Sequence, residues 1–170
     1  MCFLTEPASQ YKDQFIDAVR EFQGEGRLLD YDVQRLNHNF ANFLHRLQNQ
    51  RVSSQMPPDH VPATDFWLID NEECIGRLSI RHHLNDYMLK VAGHIGYMIR
   101  PSKRRRGYGK EILRLGLEQA RVLGLKRVLV TCDENNIGSK KVIEYNGGQF
   151  ENAVQVEGSS VRKLRYWIDL

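Results

Sequence analysis

The hydrophobic period of this chain changes near residue 51, and that change limits its possible folds more than any other feature. Before it, Phe15, Ile16, Val19 and Phe22 recur at helical intervals, closed by Gly24 and Gly26. Val33, Leu36, Phe40, Phe43, Leu44 and Leu47 repeat the pattern behind a cap at Asp30 or Asp32, which predicts two helices before residue 51. Residues 2–5 open the chain as a short strand ended by Pro7. Beyond the change, "DFWLID" and "CIGRLSIRHH" flank Asn71-Glu72-Glu73 and read as a β-hairpin. "AGHIGYMIR" is a third strand, stopped by Pro101, and "KEILRLGLEQARVLG" is an amphipathic helix with Gly124 near its end. "KRVLVTCD" reads as a central strand, "IGSKKVIEYNGG" as a short helix, and "QFENAVQVEG" with "SVRKLRYWIDL" as a closing strand pair. The order β-α-α-β-β-β-α-β-α-β-β predicts an α/β chain, an α+β mixed sheet with helices on its faces.

At 170 residues the chain fits one domain spanning 1–170. Its net charge of +3 is too small to imply nucleic acid, so the basic run Lys103–Arg106 counts as a local feature. The apolar stretches are too short for a membrane helix, and the opening residues lack the pattern of a secretory signal. Cys2, Cys74 and Cys132 are odd in number and widely spaced, which suits a reducing cytoplasm better than a disulfide framework. "SSQMPPDHVP" (53–62) is expected as an internal loop.

The segment "RPSKRRRGYGKEIL" (100–113) sets cations against two glycines where a strand passes into a helix. A helix's first turn leaves backbone N–H groups unpaired, and its macrodipole favours an anion there. Glycine lets a ligand approach the backbone, and arginine forks match phosphate oxygens. The composition therefore predicts an anion cradle for a phosphate or pyrophosphate, against the plainer reading of a solvated charge run. Neither G-x-x-x-x-G-K-[ST] nor G-x-G-x-x-G is satisfied, because residue 111 is Glu and residue 112 is Ile.

Arg104-Arg105-Arg106-Gly107-Tyr108-Gly109 resembles the [QR]-x-x-G-x-[GA] pyrophosphate loop of GNAT-type N-acetyltransferases, and Asn136-Ile137-Gly138-Ser139 resembles that family's N-x-x-[AS]. The element order is similar to the family's over nearly the whole chain, and "NIGSKKVIEYNGG" resembles a bacterial subgroup of acetyltransferases. The resemblance implies that amides of Arg104, Arg105, Arg106, Gly107, Tyr108, Gly109 and Lys110 hold the pyrophosphate of acetyl-CoA. It implies that Met98 and Ile99 pair through their backbones with pantetheine, that one of these amides polarises the thioester carbonyl, and that Asn136 bonds the pantetheine. Asn136 and Ser139 also suit a helix cap.

An alkylamine is only about 0.04% neutral at pH 7, so acetyl transfer benefits from a base, and a departing thiolate from an acid. In the family the acid is commonly a Tyr seven residues after the Asn; here that position is Ile143, which leaves Tyr145 as the candidate, against a core or surface tyrosine. The strand that ends at Ile99 carries no carboxylate, so His94 is the candidate base, against a hydrogen-bonded structural histidine; at most one of His82 and His83 faces the cleft. No metal-ligand spacing is present, so no metal is expected. The expected function is transfer of acetyl to a primary amine of a small molecule or peptide, by direct attack in a ternary complex. The alternative is a CoA-binding regulatory domain without turnover. By the same resemblance, the first two helices and the 53–62 loop cover the acceptor side, where Asp30, Asp32, Asp65 and Asp86 would attract a cationic amine. No nucleic acid or membrane partner is expected, and the C-terminal strand offers an edge for a homodimer.

Overall fold

The computed structural model describes residues 1–52 and 60–170, so most of the expected 53–62 loop lies outside the described residues. Its strands are β1 (Phe3–Thr5), β2 (Ala63–Asp70), β3 (Glu73–Arg81), β4 (Ile95–Ile99), β5 (Arg127–Asp133), β6 (Gln149–Val154) and β7 (Lys163–Asp169). They form one mixed sheet in the order β1-β2-β3-β4-β5-β7-β6. All neighbours are antiparallel except β4 and β5. The hairpin between β2 and β3 turns on Asn71 and Glu72, with φ of 47° and 63°. Two left-handed residues match the twist of the flanking strands.

The helices are α1 (Lys12–Gly24), α2 (Val33–His38), α3 (Phe40–Asn49), α4 (Asp86–Val91), α5 (Tyr108–Val122) and α6 (Ile137–Tyr145). The second expected helix is two. It breaks at Asn39, whose φ of −139° and ψ of 51° are not helical. The side chains of Asn37 and His38 bond the carbonyls of Val33 and Gln34 one turn back, the polar competition that weakens a helix in which an apolar period alone would run on. Helix α4 was not expected from the apolar period. The Asn85 side chain starts it by accepting from the Met88 amide at 2.8 Å. The third strand is shorter than expected because Gly93 takes φ +69°, and a Cβ there would lie 2.4 Å from the Leu129 carbonyl oxygen.

Two cores lie on opposite faces of the sheet. On one, α5 and α6 place Ile112, Leu113 and Ile143 against Leu78, Ile95, Val130 and Tyr166. Helix α5 sits close because a Cβ at Gly116 would be 2.4 Å from Leu78 Cδ1. On the other face, α1–α3 pack Phe15, Phe40 and Phe43 over Trp67. Phe15 stacks on Trp67 at 4.3 Å between ring centroids, an arrangement worth about 0.5–1.5 kcal/mol beyond its buried area.

Candidate active site

Strands β4 and β5 meet at one register pair, Ile95 with Val130, and then diverge. The Arg81 amide donates to the His94 carbonyl and the Arg100 amide to the Ile75 carbonyl. Antiparallel alternation therefore turns the backbone groups of Gly96 and Met98 towards β3 and leaves those of Tyr97 and Ile99 facing the gap. This moves one expectation by a residue. Met98 is paired with Arg77, and the second position facing the gap is Tyr97; the Ile99 carbonyl accepts from Arg104 Nε at 3.1 Å.

The chain past β4 makes a 3₁₀ turn at Pro101–Lys103 before α5 begins. Arg105 and Gly107 have φ of 63° and 88°, left-handed conformations of the kind that gather successive N–H groups into one concavity. Among the described residues, the amides of Arg105, Arg106, Gly107, Tyr108 and Gly109 have no acceptor. The Arg104 amide donates to Pro101 and the Lys110 amide to Gly107, so the expected run of donors shortens by one at each end. The repulsion in the basic run is relieved largely from within the protein. Arg104 makes a two-pronged bond to Glu25 at 2.9 and 2.8 Å, Arg100 bonds Glu21 at 2.6 Å, and Lys103 bonds Glu73. The guanidinium groups of Arg105 and Arg106 have no carboxylate partner among the described residues. Glu21 on α1 and Glu25, the C-cap of that helix, stand four apart, opposite Arg100 and Arg104, also four apart. That matched spacing was the available sequence signal.

Across the gap, Asn136 caps α6 by accepting from the Ser139 amide at 3.0 Å, which leaves its Nδ2 donor without an acceptor among the described residues. The Ser139 hydroxyl lies 3.0 Å from that of Tyr97. This pair joins β4 to the first turn of α6. Burial pushes the Tyr97 phenol up to about 12, against the lowering bond from Ser139, so it stays protonated at neutral pH. Sequence reading passed over Tyr97, although it is the aromatic hydroxyl one residue before Met98.

Of the two expected catalytic side chains, one is engaged within the fold and the other is exposed. His94 is buried, and its Nδ1 accepts from the Leu129 amide at 2.9 Å. Its own amide donates to the Leu129 carbonyl at 2.7 Å. Neutral His94 therefore carries its proton on Nε2, with its lone pair engaged. Burial, then the nearby Arg81, lowers its pKa. Tyr145 is exposed at the end of α6, with the Lys110 ammonium 3.8 Å from its ring centroid. Ile143 is fully buried.

On the sheet face opposite α5 and α6, Asp65 is buried and lies 3.4 Å from Arg77. Arg77 also donates to the Tyr31 hydroxyl at 2.8 Å. Asp30 and Asp32 border a cavity of about 160 Å³ with Tyr31, Arg35 and Arg46. Asp32 is also the cap of α2, and Asp86 lies in the first turn of α4. Among the described residues, no group of three or more His, Cys, Asp or Glu could hold a metal ion.

Residues 16–149 match the family model described as an acetyltransferase (GNAT) domain. No curated protein matches the sequence. Among solved structures, Mycobacterium smegmatis RimJ in complex with CoA-disulfide is similar at TM-score 0.69 and 17% identity, over 98% of this chain and 80% of that one. The microcin C7 self-immunity acetyltransferase MccE, in complex with acetyl-CoA and AMP, is similar at TM-score 0.70 and 15% identity, over 99% and 92%. A Salmonella typhimurium acetyltransferase that modifies the N-terminal serine of ribosomal protein L7/L12 is similar at TM-score 0.65 and 16% identity, over 98% and 94%. At such identities the likeness is one of fold. The family match spans most of the chain, and the protein belongs to the GNAT acetyltransferase family.

Proposed function

We propose that this protein transfers the acetyl group of acetyl-CoA to a primary amine of a small molecule or peptide, by direct attack in a ternary complex. Acetyl-CoA supplies an activated thioester. The observation that carries the reading is the run of five backbone amides without acceptors, Arg105 to Gly109, beside a gap between two parallel strands. Such a run matches the oxygens of a pyrophosphate, with Arg105 and Arg106 as the free cations beside it. The Tyr97 backbone and the Ile99 amide, which face the gap, suit an extended amide-bearing arm, while the Ile99 carbonyl accepts from Arg104 Nε at 3.1 Å; the Asn136 Nδ2 donor suits one of the arm's carbonyls.

In the transfer, the amine nitrogen bonds the thioester carbon and gives up a proton to water, the carbon–sulfur bond breaks, and the sulfur takes a proton from a donor that water restores. Ser139 is our candidate donor of that proton, replenished from the Tyr97 phenol 3.0 Å away. His94, whose lone pair is engaged, is assigned to holding β4 against β5. With no other base argued, the rate at fixed amine concentration should rise with the neutral fraction of the acceptor, about tenfold per pH unit below the amine's pKa.

The engaged lone pair of His94 also favours a second reading, a domain that binds CoA without turnover. Thiol release from acetyl-CoA with a panel of amines separates the two. Release above hydrolysis with any amine supports transfer; tight CoA binding with none supports the second reading.

A further inference from the structure

Among the described residues, nothing covers a shallow trough on the sheet face away from α5 and α6, next to the point where β4 and β5 part. Its floor is Ser79 and Gly96, paired across β3 and β4. Gly96 is exposed, and a Cβ built on it would meet nothing within 4 Å. One end is bounded by Met98 and Arg77. The other is bounded by Arg81 and by α4, which is tied down by polar contacts to the same face. Thr131 donates to the Val91 carbonyl at 3.0 Å, Arg165 to that of Leu89 at 3.2 Å, and Arg81 to that of Gly93 at 3.0 Å.

The charges facing this trough do not balance. Arg165 is paired with Glu151 at 2.5 Å and Lys163 with Asp133 at 2.5 Å. His94 is neutral when its Nδ1 accepts from Leu129. Among the described strand residues of this face, that leaves Arg77 and Arg81 against Asp65. Arg77 commits its donors to Asp65 and Tyr31. Arg81 uses Nη1 on Gly93, and among the described residues its Nε and Nη2 have no acceptor. Nε and Nη2 form one side of the guanidinium fork, the edge that meets both oxygens of a carboxylate.

We infer that the trough is the acceptor site and that Arg81 holds a carboxylate there, so that the acceptor carries an acid group on the same molecule as its amine, as an amino acid or a peptide does. This rests on the acetyl-transfer reading. The donor reaches the gap from the α5 side, the amine meets it above Gly96, and the acid group lies towards α4. The excess cation at this site is then answered by the substrate.

Matched acceptor pairs test this: free amino acids and dipeptides against the same molecules with the carboxyl converted to an amide, assayed by CoA release. Expressed per neutral amine, because amidation lowers the amine's own pKa, the free acids should be acetylated with kcat/KM roughly 10- to 100-fold above their amides, the ratio expected of one charge-assisted bond. Arg81→Gln should raise KM for the acids far more than for the amides and leave the affinity for CoA unchanged, while Arg81→Lys should recover part of the loss. Equal kcat/KM per neutral amine for acids and amides, or a higher value for the amides, overturns the carboxylate site and leaves the transferase reading standing. CoA release with no member of the panel, from protein that binds acetyl-CoA, overturns the transferase reading and this inference with it.

Discussion

Taking one oxygen from Tyr97 separates its packing from its chemistry. Tyr97→Phe should leave the affinity for CoA unchanged and lower kcat by about tenfold or more, as expected when a positioned proton donor is lost. Ser139→Ala should lower it similarly, and the double variant should fall little further, because two groups in one relay are not additive. Single-turnover acetyl transfer reads this, and full activity in Tyr97→Phe would remove the phenol from the relay. His94 makes a prediction about stability. Its pKa is lowered in the folded protein, so as pH falls through about 6.5 the unfolded chain takes up a proton that the folded one refuses. The stability His94 contributes is complete above that value and is lost as pH falls through its folded pKa. His82, also lowered, first by burial, adds to the slope. His94→Gln should therefore show a shallower fall in melting temperature between about pH 7.5 and 5.5, the window around the unfolded pKa. A slope equal to wild type would mean that His94 is not the titrating group. His94 was legible in the sequence as a titratable residue near the cleft. Its bond to Leu129, thirty-five residues away, was not, because only the folded sheet brings the two together.

Among the elements, helix α1 is joined to the donor loop by carboxylates. The Glu21 carboxyl is bonded by Arg100 and by both the amide and hydroxyl of Ser102. Burial alone would raise its pKa, but the bonds from Ser102 and Arg100 outweigh that and hold it below the usual value. Glu21→Ala should loosen the turn that precedes the five free amides and weaken CoA binding several-fold, with the larger loss in kcat/KM. It should also flatten the acid side of the stability profile, since the stability Glu21 gives is present above about pH 4.5 and lost as pH falls through its lower folded pKa. Titration with CoA and acid melts check both, and unchanged CoA affinity would show that the loop keeps its shape without this tether. The elements were legible where one period or one cap spoke plainly: α1, α5, the β2–β3 hairpin and the closing β6–β7 pair. The break at Asn39 was hidden because the apolar period runs straight through it. Helix α4 was hidden because its six residues bury only Val91 and its fastening is polar.

For the whole molecule, the consequence of the fold is two approaches to one opening. The parting of β4 and β5 connects the face covered by α5 and α6 to the face that carries Ser79, Gly96 and Arg81. The run of amides without acceptors, Arg105 to Gly109, could be read in the sequence because its groups are consecutive and marked by glycines and a helix start. The proposed acceptor side draws on single residues of β2, β3, β4 and the α1–α2 connection, whose spacing in sequence carries no periodic signal. The account depends most on the five amides. Labelled with nitrogen-15 and titrated with CoA, the protein should show its largest backbone amide shifts at Arg105, Arg106, Gly107, Tyr108 and Gly109, all saturating with one affinity. CoA that saturates the protein while these five signals stay in place would contradict the account.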